Sequence, residues 1–461
     1  MAKNKKEINR RDFLKILGTG TLASAALLAG CDSGQMTGST DSGEVPTDKM
    51  TFRTNPHTGD KVSLLGFGCM RWPLRPAADG TGEEIDQEAV NELVDYAIAH
   101  GVNYFDTSPR YVRGMSEKAT GIALSRHARD KYFIATKMSN QPDDRQLRSR
   151  EGSIAMYRKS FEDLQVDYID YYLLHTIGNG GMATFKERFY DNGILDFLLK
   201  EKEAGRIRNL GWSYHGDIEV FDHLLAQDIQ WDFAQIQLNY VDWQNATGWN
   251  TNAEYLYREL EKHHVPAVIM EPLLGGQLAR LNAHALAILK EQRPEDSAAA
   301  WAFRYAGTPK DVLTVLSGMV YMEHLQENIR TYSPLEPLSQ AEYKALEEVT
   351  EIILRSDLIQ CTECQYCMPC PYGLDIPGIF AHYNRCVTEE KILQSSQDEN
   401  YRKARRAFLI GYDRSVPKLR QADHCIGCDK CVPKCPQKIQ IPAELERINQ
   451  YSEKLKQGTA F

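Results

Sequence analysis

Two short runs contain eight of the eleven cysteines in this chain. The first run is CTECQYCMPCP at 361–371, and the second is CIGCDKCVPKCP at 425–436. A chain of 461 residues can bury a large core without covalent cross-links, so clustered cysteines indicate metal binding before disulfides. The sequence therefore predicts thiolate-ligated metal near its C-terminal end.

The spacing of the two runs favours iron–sulfur clusters. The second run has the Cys-x2-Cys-x2-Cys-x3-Cys-Pro spacing of two-cluster ferredoxins, in which the fourth cysteine serves the other cluster. One [4Fe-4S] cluster is then predicted on Cys361, Cys364, Cys367 and Cys435, and a second on Cys425, Cys428, Cys431 and Cys370. The last gap of the first run is one residue short of this spacing, which leaves the partner of Cys370 open. Zinc is the alternative, because paired Cys-x2-Cys units also bind zinc.

A second group of potentially catalytic residues lies in the central part of the chain. Asp106, Lys137 and His175 each stand at or near the end of an apolar run, and Tyr111 follows Asp106 by five residues. A tyrosine beside an ammonium has a lowered pKa and becomes a better acid near neutrality. The set therefore predicts proton transfer, with Asp106 holding Lys137, Lys137 tuning Tyr111 and His175 contacting a carbonyl oxygen.

Eight strand-like runs alternate with helix-like segments and would position these residues. The runs lie at 63–68, 103–108, 132–138, 168–175, 207–213, 233–238, 266–271 and 312–318. Eight such pairs predict an α/β fold, a (β/α)8 TIM barrel with its chemistry at the C-terminal ends of the strands. A doubly wound sheet is the rival, but the Gly66-Phe67-Gly68 stretch lacks the third glycine of a dinucleotide fingerprint, with Arg71 in its place.

The segments NYFDTSPRYVRGMSE, YFIATKM and YYLLH resemble those of the aldo-keto reductase superfamily. The whole chain resembles a subgroup fused to a C-terminal two-cluster, mostly α-helical ferredoxin-like domain. The resemblance implies that Tyr111 is the general acid, tuned by Asp106 and Lys137, and that His175 orients a carbonyl. It also implies that a nicotinamide nucleotide lies across the barrel mouth.

The same resemblance implies a set of nucleotide-binding residues. Ser213 and Gln235 would hold the carboxamide. Met270, Pro272 and Leu273 would flank the nicotinamide and pyrophosphate, and Ser317, Gly318, Met319, Glu327 and Asn328 would hold the adenosine end. The family's frequent cations near Gly318 and His324 are missing, so both NADP(H) and NAD(H) stay open.

The N-terminal region resembles an export signal. Arg10-Arg11 precedes an apolar run that ends in Leu28-Ala29-Gly30-Cys31, which is typical of a twin-arginine and lipoprotein-type signal. We expect a signal peptide at 1–31, a flexible linker at 32–50, the barrel at 51–335 and the cluster domain at 336–461. The protein would be exported to the cell envelope or periplasm, with membrane contact only through a lipidated Cys31.

The composition argues against one class of binding partner. Proteins that bind nucleic acid present a basic surface, whereas this chain has a net charge of −9. We expect an oxidoreductase acting on a small carbonyl/alcohol pair, with the clusters passing electrons to or from an unknown redox partner. The alternatives are a nicotinamide-binding redox sensor or electron-transfer module with little turnover, and clusters with a structural role only.

Overall fold

A computed structural model describes residues 44–80, 82–141, 145–248, 250–393 and 395–458. The expected signal peptide and most of the expected linker lie outside these residues. In the part described, no helix is both long and apolar enough to cross a bilayer.

Eight parallel strands close into a barrel in chain order. They are β1 (Leu65–Gly68), β2 (Tyr104–Asp106), β3 (Phe133–Met138), β4 (Ile169–Ile177), β5 (Ile207–Tyr214), β6 (Phe233–Gln237), β7 (Ala267–Met270) and β8 (Val312–Ser317). The ring closes where β8 pairs with β1 through Leu316 and Gly66. All eight predicted strands and the barrel are therefore confirmed, and the doubly wound sheet is excluded.

Helices follow the strands and form the outer layer. They are α1 (Gln87–Ala99), α2 (Ser116–Leu124), α3 (Arg150–Leu164), α4 (Gly181–Phe189), α5 (Ile194–Glu203), α6 (Ile218–Leu225), α7 (Ala253–Lys262), α8 (Ala283–Gln292), α9 (Ala298–Gly307) and α10 (Met322–Thr331). Short helices span Arg145–Arg148 and Asp242–Asn245, and short antiparallel pairs join Phe52–Thr54 to Lys61–Ser63 and Leu74–Pro76 to Glu83–Ile85.

Two apolar cores stabilise the barrel. The larger lies between strands and helices, and the smaller fills the barrel interior with side chains such as Tyr104, Tyr171 and Phe233. Strands such as β4 and β8 contribute to both cores because successive side chains point to opposite faces. The interior is therefore packed rather than open, and chemistry is confined to the rim.

The last four helices are α11 (Gln340–Leu354), α12 (Ile376–Thr388), α13 (Tyr401–Ser415) and α14 (Ile441–Gln457). Helices α12 to α14 share a separate core that includes Phe380, Phe408 and Ile448. Helix α11 differs, because its Leu346 and Val349 belong to the core of the barrel. Packing thus groups α11 with the barrel, although the sequence-based boundary after residue 335 placed it in the C-terminal domain.

Candidate active site and cluster sites

The four predicted proton-transfer residues lie together at the C-terminal rim of the barrel. Lys137 Nζ donates to Asp106 Oδ1 over 2.6 Å and to the Thr107 carbonyl over 2.8 Å. The same ammonium is 4.9 Å from the centre of the Tyr111 ring. The rings of Tyr111 and His175 meet edge to face with their centres 6.1 Å apart. The structure therefore brings together residues that the sequence separates by up to 69 positions.

A strained turn aims Tyr111 at this rim. Tyr111 begins the turn Tyr111–Gly114, in which Val112 and Arg113 have φ values of 49° and 55°. This left-handed conformation is unfavourable for a β-branched residue such as valine. Backbone strain of this kind clusters at functional sites, where the surrounding fold enforces it.

Burial governs the Asp106–Lys137 pair. Asp106 is 2% exposed and Lys137 is fully buried. Burial raises the pKa of Asp106 and lowers the pKa of Lys137, while the contact between them opposes both shifts. Asp106 Oδ2 is also buried and has no hydrogen-bond partner among the described residues. The pair is therefore held by one short contact inside the barrel wall.

His175 is neutral and its tautomer is set by its neighbours. Burial lowers its pKa well below 6.5, with the charges of Lys137 and Arg188 adding to the effect. Its Nδ1 lies 2.6 Å from Ser139 Oγ and 3.4 Å from Gln141 Nε2. An amide nitrogen only donates, so Nδ1 is assigned as the acceptor and Nε2 carries the proton. His175 can thus donate a hydrogen bond to a carbonyl oxygen.

The structure corrects one expectation about Tyr111. The sequence predicts that Lys137 lowers the pKa of Tyr111, but burial raises this pKa well above 10, and Asp106 raises it further. The phenol is 8% exposed, and loss of its proton would place a second negative charge near Asp106. Tyr111 therefore stays protonated, which is the form that an acid needs.

The residues expected to hold the carboxamide lie at neighbouring strand ends. Ser213 Oγ accepts a hydrogen bond from the Thr176 amide over 2.8 Å. Gln235 Nε2 contacts Met270 Sδ at 3.6 Å, and its Oε1 is buried with no partner among the described residues. A nicotinamide carboxamide could donate to this oxygen. These residues therefore fit the nicotinamide end of the nucleotide.

The residues expected near the adenosine end lie beyond β8. Asn328 Nδ2 donates to Ser317 Oγ over 3.1 Å, and both side chains are buried. Met319 is 1% exposed. Pro272 and Leu273 follow the neighbouring strand β7, while Glu327 stands beside Asn328 on α10. The predicted set is thus divided between the ends of β7 and β8, next to each other in the barrel.

The loop of the first cysteine run is docked on the barrel rim. Arg71 Nη2 donates to the Thr362 carbonyl over 2.7 Å, and Gln277 Nε2 donates to the Cys361 carbonyl over 3.0 Å. Thr362 is 3% exposed, and a Cβ on Gly275 would come within 2.2 Å of its Cα. We call this contact the rim clasp. It fixes the first cysteine run next to the end of β7.

The docked loop brings a residue that sequence reasoning missed. Tyr366, between Cys364 and Cys367, interacts electrostatically with Tyr111, Asp106 and Arg110. Burial raises the pKa of Tyr366, so its phenol is a neutral hydrogen-bond donor. No local pattern marks this residue, because only the fold brings 366 to the loop after β2.

Glu271 lies in the segment expected to flank the nicotinamide and pyrophosphate, and it adds an acidic side chain to the mouth. It follows β7 with a φ of 54°, and its Oε2 accepts a hydrogen bond from the Gly275 amide over 2.6 Å. Burial raises the pKa of Glu271, against the opposing charge of Arg71. The mouth therefore contains an acidic group as well as phenols and an imidazole. The sequence signal for this role is a charged residue, Glu271, directly after the apolar run of β7.

The first predicted cluster set lines one cavity. Cys361, Cys364, Cys367 and Cys435 surround it together with apolar side chains that include Phe380 and Ile441. Four thiols around a common apolar space suit a cluster larger than one ion. Among the described residues, no three metal-ligating side chains converge at the spacing of a single ion, and the ten cysteines form no disulfide.

The second predicted set is also grouped in space. Burial raises the pKa of Cys431 to about 11, and nearby Cys425, Cys428 and Cys370 add to the shift. Cys431 in turn interacts with Cys367 of the first set. The two sets are therefore neighbours, and Cys370 lies with the second set. Two remaining cysteines, Cys69 and Cys386, are buried within apolar cores.

Comparison with known proteins agrees with this architecture. The profile of the aldo/keto reductase family matches residues 64–351, and that of a 4Fe-4S dicluster domain matches residues 360–441. L-galactose dehydrogenase from Arabidopsis thaliana is 26% identical over 321 residues, covering 66% of this chain and 95% of that protein.

Solved structures show the same barrel. A holo-form aldo-keto reductase from Bacillus halodurans aligns with a TM-score of 0.52 at 23% identity, over 65% of this chain and 96% of that one. An aldo-keto reductase from Klebsiella pneumoniae in complex with NADPH aligns with a TM-score of 0.50 at 21% identity, over 65% and 96% of the two chains. At these identities the likeness concerns the fold.

Proposed function

Because the chain belongs to the aldo/keto reductase family and carries a 4Fe-4S dicluster domain, we propose that it couples carbonyl/alcohol interconversion to single-electron transfer. The barrel would use NADP(H) or NAD(H), and two [4Fe-4S] clusters would exchange electrons with a redox partner. The observation that carries this proposal is the rim clasp, which holds the first cysteine run on the same barrel rim as the proton-transfer residues.

In this proposal the barrel residues handle the proton and the orientation of the substrate. Tyr111, protonated because it is buried, gives its proton to the carbonyl oxygen during reduction. His175 donates from Nε2 to the same oxygen, with Nδ1 held by Ser139. Asp106 keeps Lys137 beside the Tyr111 ring. A bound nicotinamide supplies or accepts the hydride, and Ser213, Gln235 and the residues after β7 and β8 would hold it.

The cysteine sets suggest a route for electrons. The first set lies against the barrel rim through the clasp, and the second set lies next to the first through Cys367 and Cys431. One hydride equals two electrons and a proton, so two one-electron clusters can accept or deliver what one turnover requires. The direction of flow in the cell is left to experiment.

A hydroxylated substrate is the class that the mouth favours. Tyr366, Glu271 and Arg110 add polar groups around Tyr111. A site with fixed hydrogen-bonding groups discriminates against analogues that leave those groups unpaired. The similarity to L-galactose dehydrogenase points the same way. We therefore propose a sugar-like aldehyde or its alcohol.

Two further parts of the proposal concern location and nucleotide. Arg10-Arg11 and Cys31 support export in a folded state and a lipid anchor in the cell envelope. The family-typical cations are missing from the chain positions next to Gly318 and His324, while a structural neighbour binds NADPH, so either nucleotide is compatible with the chain. A tightly bound nucleotide would suit a protein that works outside the cytoplasm.

The decisive experiment is anaerobic purification of the full chain, followed by addition of NADH or NADPH. We expect iron and sulfide for two clusters, cluster reduction seen by electron paramagnetic resonance, and turnover of a sugar-like aldehyde. Tyr111→Phe should abolish aldehyde turnover and keep cluster reduction, and Tyr255→Phe, with an exposed phenol on helix α7, serves as control.

A redox sensor or electron-transfer module is the competing function. It predicts that Tyr111→Phe leaves cluster reduction by nucleotide unchanged and that wild type shows little aldehyde turnover, because a sensor does not require a general acid. Clusters with only a structural role predict iron that is present but not reduced by nucleotide. Each outcome would replace the coupled enzyme with the corresponding alternative.

A further inference from the structure

The charge of the chain is strongly segregated. Residues 401–438 contain ten lysines and arginines and three aspartates, whereas the whole chain has a net charge of −9. This segment includes helix α13 and the second cysteine run. The cluster domain therefore presents a basic region on an otherwise acidic protein.

The same region exposes large apolar side chains. Leu419 is 80% exposed and Ile426 is 62% exposed, the two highest values among large hydrophobic residues in the part that the structure describes. Tyr372, two residues after Cys370, is 46% exposed. Single exposed apolar residues are common on proteins, but a group within a charged rim is typical of an interface.

These residues surround the second cysteine set. Ile426 stands between Cys425 and Cys428 in the chain. Arg420, next to Leu419, donates from Nε to the Gly373 carbonyl over 3.2 Å, and the Gly373 amide donates to the Cys370 carbonyl over 3.0 Å. We call Tyr372, Leu419, Ile426 and the exposed Lys418 and Lys430 the cluster-side patch.

The segment that presents Leu419 is well held. Gln421 Nε2 donates to the Val416 carbonyl over 3.0 Å and to Asp413 Oδ1 over 3.1 Å, and the Ala422 amide donates to the Tyr412 hydroxyl over 2.9 Å. These bonds close the turn on both sides of Leu419. Leu419 is therefore exposed on a turn that hydrogen bonds hold in place.

We propose that the cluster-side patch is the docking surface of an acidic one-electron carrier protein. Opposite charge steers such a partner to the patch and orients it, and the apolar centre gives the contact that must lose water. The second cysteine set adjoins the patch through Ile426 and through the hydrogen bonds from Arg420 to Gly373 and from Gly373 to Cys370, while the first set is joined to the barrel by the rim clasp. This inference rests on the proposed function, because it assumes a cluster on Cys370, Cys425, Cys428 and Cys431.

The electron balance is simple. A reduced carrier loses one electron and the oxidised second cluster gains it, with no bond made or broken. Two such transfers, together with one proton from solvent, match one hydride at the barrel. The reverse direction uses the same surface, since docking depends on charge and shape rather than on driving force.

An anionic membrane surface is the other occupant with matching chemistry. Membrane-binding helices carry a continuous apolar face with cations on the other side. Here Leu419 and Ile426 lie in separate loops around one cluster set, and Lys418 is within 3.9 Å of Asp413. Separate apolar residues around one cysteine set, rather than one continuous apolar face, fit a protein partner better.

The test uses anaerobically purified full chain and a reduced acidic flavodoxin, mixed rapidly at low and high salt. We expect Lys418→Glu/Lys430→Glu to slow second-cluster reduction about tenfold at low salt and to remove the salt dependence. Leu419→Ser should slow it while leaving the salt dependence. Lys118→Glu/Lys131→Glu, an equal charge change at exposed barrel residues, should match the wild type.

The outcomes separate the ideas. Unchanged rates in both patch variants, at normal iron content, would overturn the carrier surface. Binding to vesicles with anionic phospholipid that the double variant loses, at unchanged flavodoxin rates, would assign the patch to a membrane. A chain that binds no iron would overturn both the patch and the proposed function, whereas cluster reduction by flavodoxin without aldehyde turnover would overturn only the enzyme part.

Discussion

Lys137 and Asp106 form a buried ion pair in which Nζ and Oδ1 are 2.6 Å apart, and Lys137 is the residue that lies beside the Tyr111 ring. Removal of one partner leaves an uncompensated charge, which typically costs about 3–5 kcal/mol. Lys137→Met should therefore both destabilise the barrel and remove the group next to the acid.

Stability and catalysis can be separated at this pair. We expect Asp106→Asn to restore most of the melting temperature that Lys137→Met loses, because the orphaned carboxylate is gone. Aldehyde reduction should stay at least about 100-fold below wild type in the double variant. Recovery of activity together with stability would mean that the pair is only a structural element.

The pH dependence of reduction should be broad. Burial raises the pKa of Tyr111 above 10, so its proton is lost only as pH rises beyond that value. Burial lowers the pKa of His175 below 6.5, so it becomes charged only in more acidic solution. We expect kcat/KM for carbonyl reduction to be nearly constant between these limits. A falling limb near pH 8 in the wild-type profile would contradict the raised pKa of Tyr111.

Tyr366 should contribute to substrate selection. We expect Tyr366→Phe to lower kcat/KM for glyceraldehyde about three- to tenfold, as for one lost hydrogen bond. Reduction of propanal, which has no further hydroxyl group, should stay within about twofold. Tyr255→Phe, the same change at an exposed position on helix α7, provides the control. Equal losses on both aldehydes would indicate a packing role for Tyr366.

The two cysteine sets should be separable by mutation. We expect Cys435→Ser to damage the cluster at the barrel rim and Cys370→Ser to damage the one at the cluster-side patch, each removing about half of the iron. Flavodoxin should then still reduce the remaining cluster in Cys435→Ser but not in Cys370→Ser. If paramagnetic resonance showed reduction in Cys370→Ser but not in Cys435→Ser, Cys370 would belong to the first cluster and Cys435 to the second.

The sequence allowed the barrel, the proton-transfer residues and the cysteine sets to be predicted because each has a local pattern. Strand ends mark Asp106, Lys137 and His175, and short spacing marks the cysteines. The protonation preference of Tyr111 could not be predicted, since it depends on how deeply the phenol is buried.

Contacts between distant parts of the chain could not be predicted from the sequence either. Tyr366 meets Tyr111 only because the loop at 361–367 folds back over the rim, and helix α11 joins the barrel through packing rather than composition. No sequence pattern marks Ser139 and Gln141, and only the fold brings them into contact with Nδ1 of His175. Long-range placement, not residue type, defines these roles.

The rim clasp limits how the two halves of this protein can change over evolutionary time. Gly275 belongs to the barrel, yet the space that a side chain would need is filled by the backbone of Thr362. Gly248 is closed in the same way by the backbone of Gln437. Both glycines also have positive φ, 68° at Gly275 and 73° at Gly248, so a side chain at either position would be strained as well as blocked. A substitution at either position would therefore require the backbone of both domains to shift.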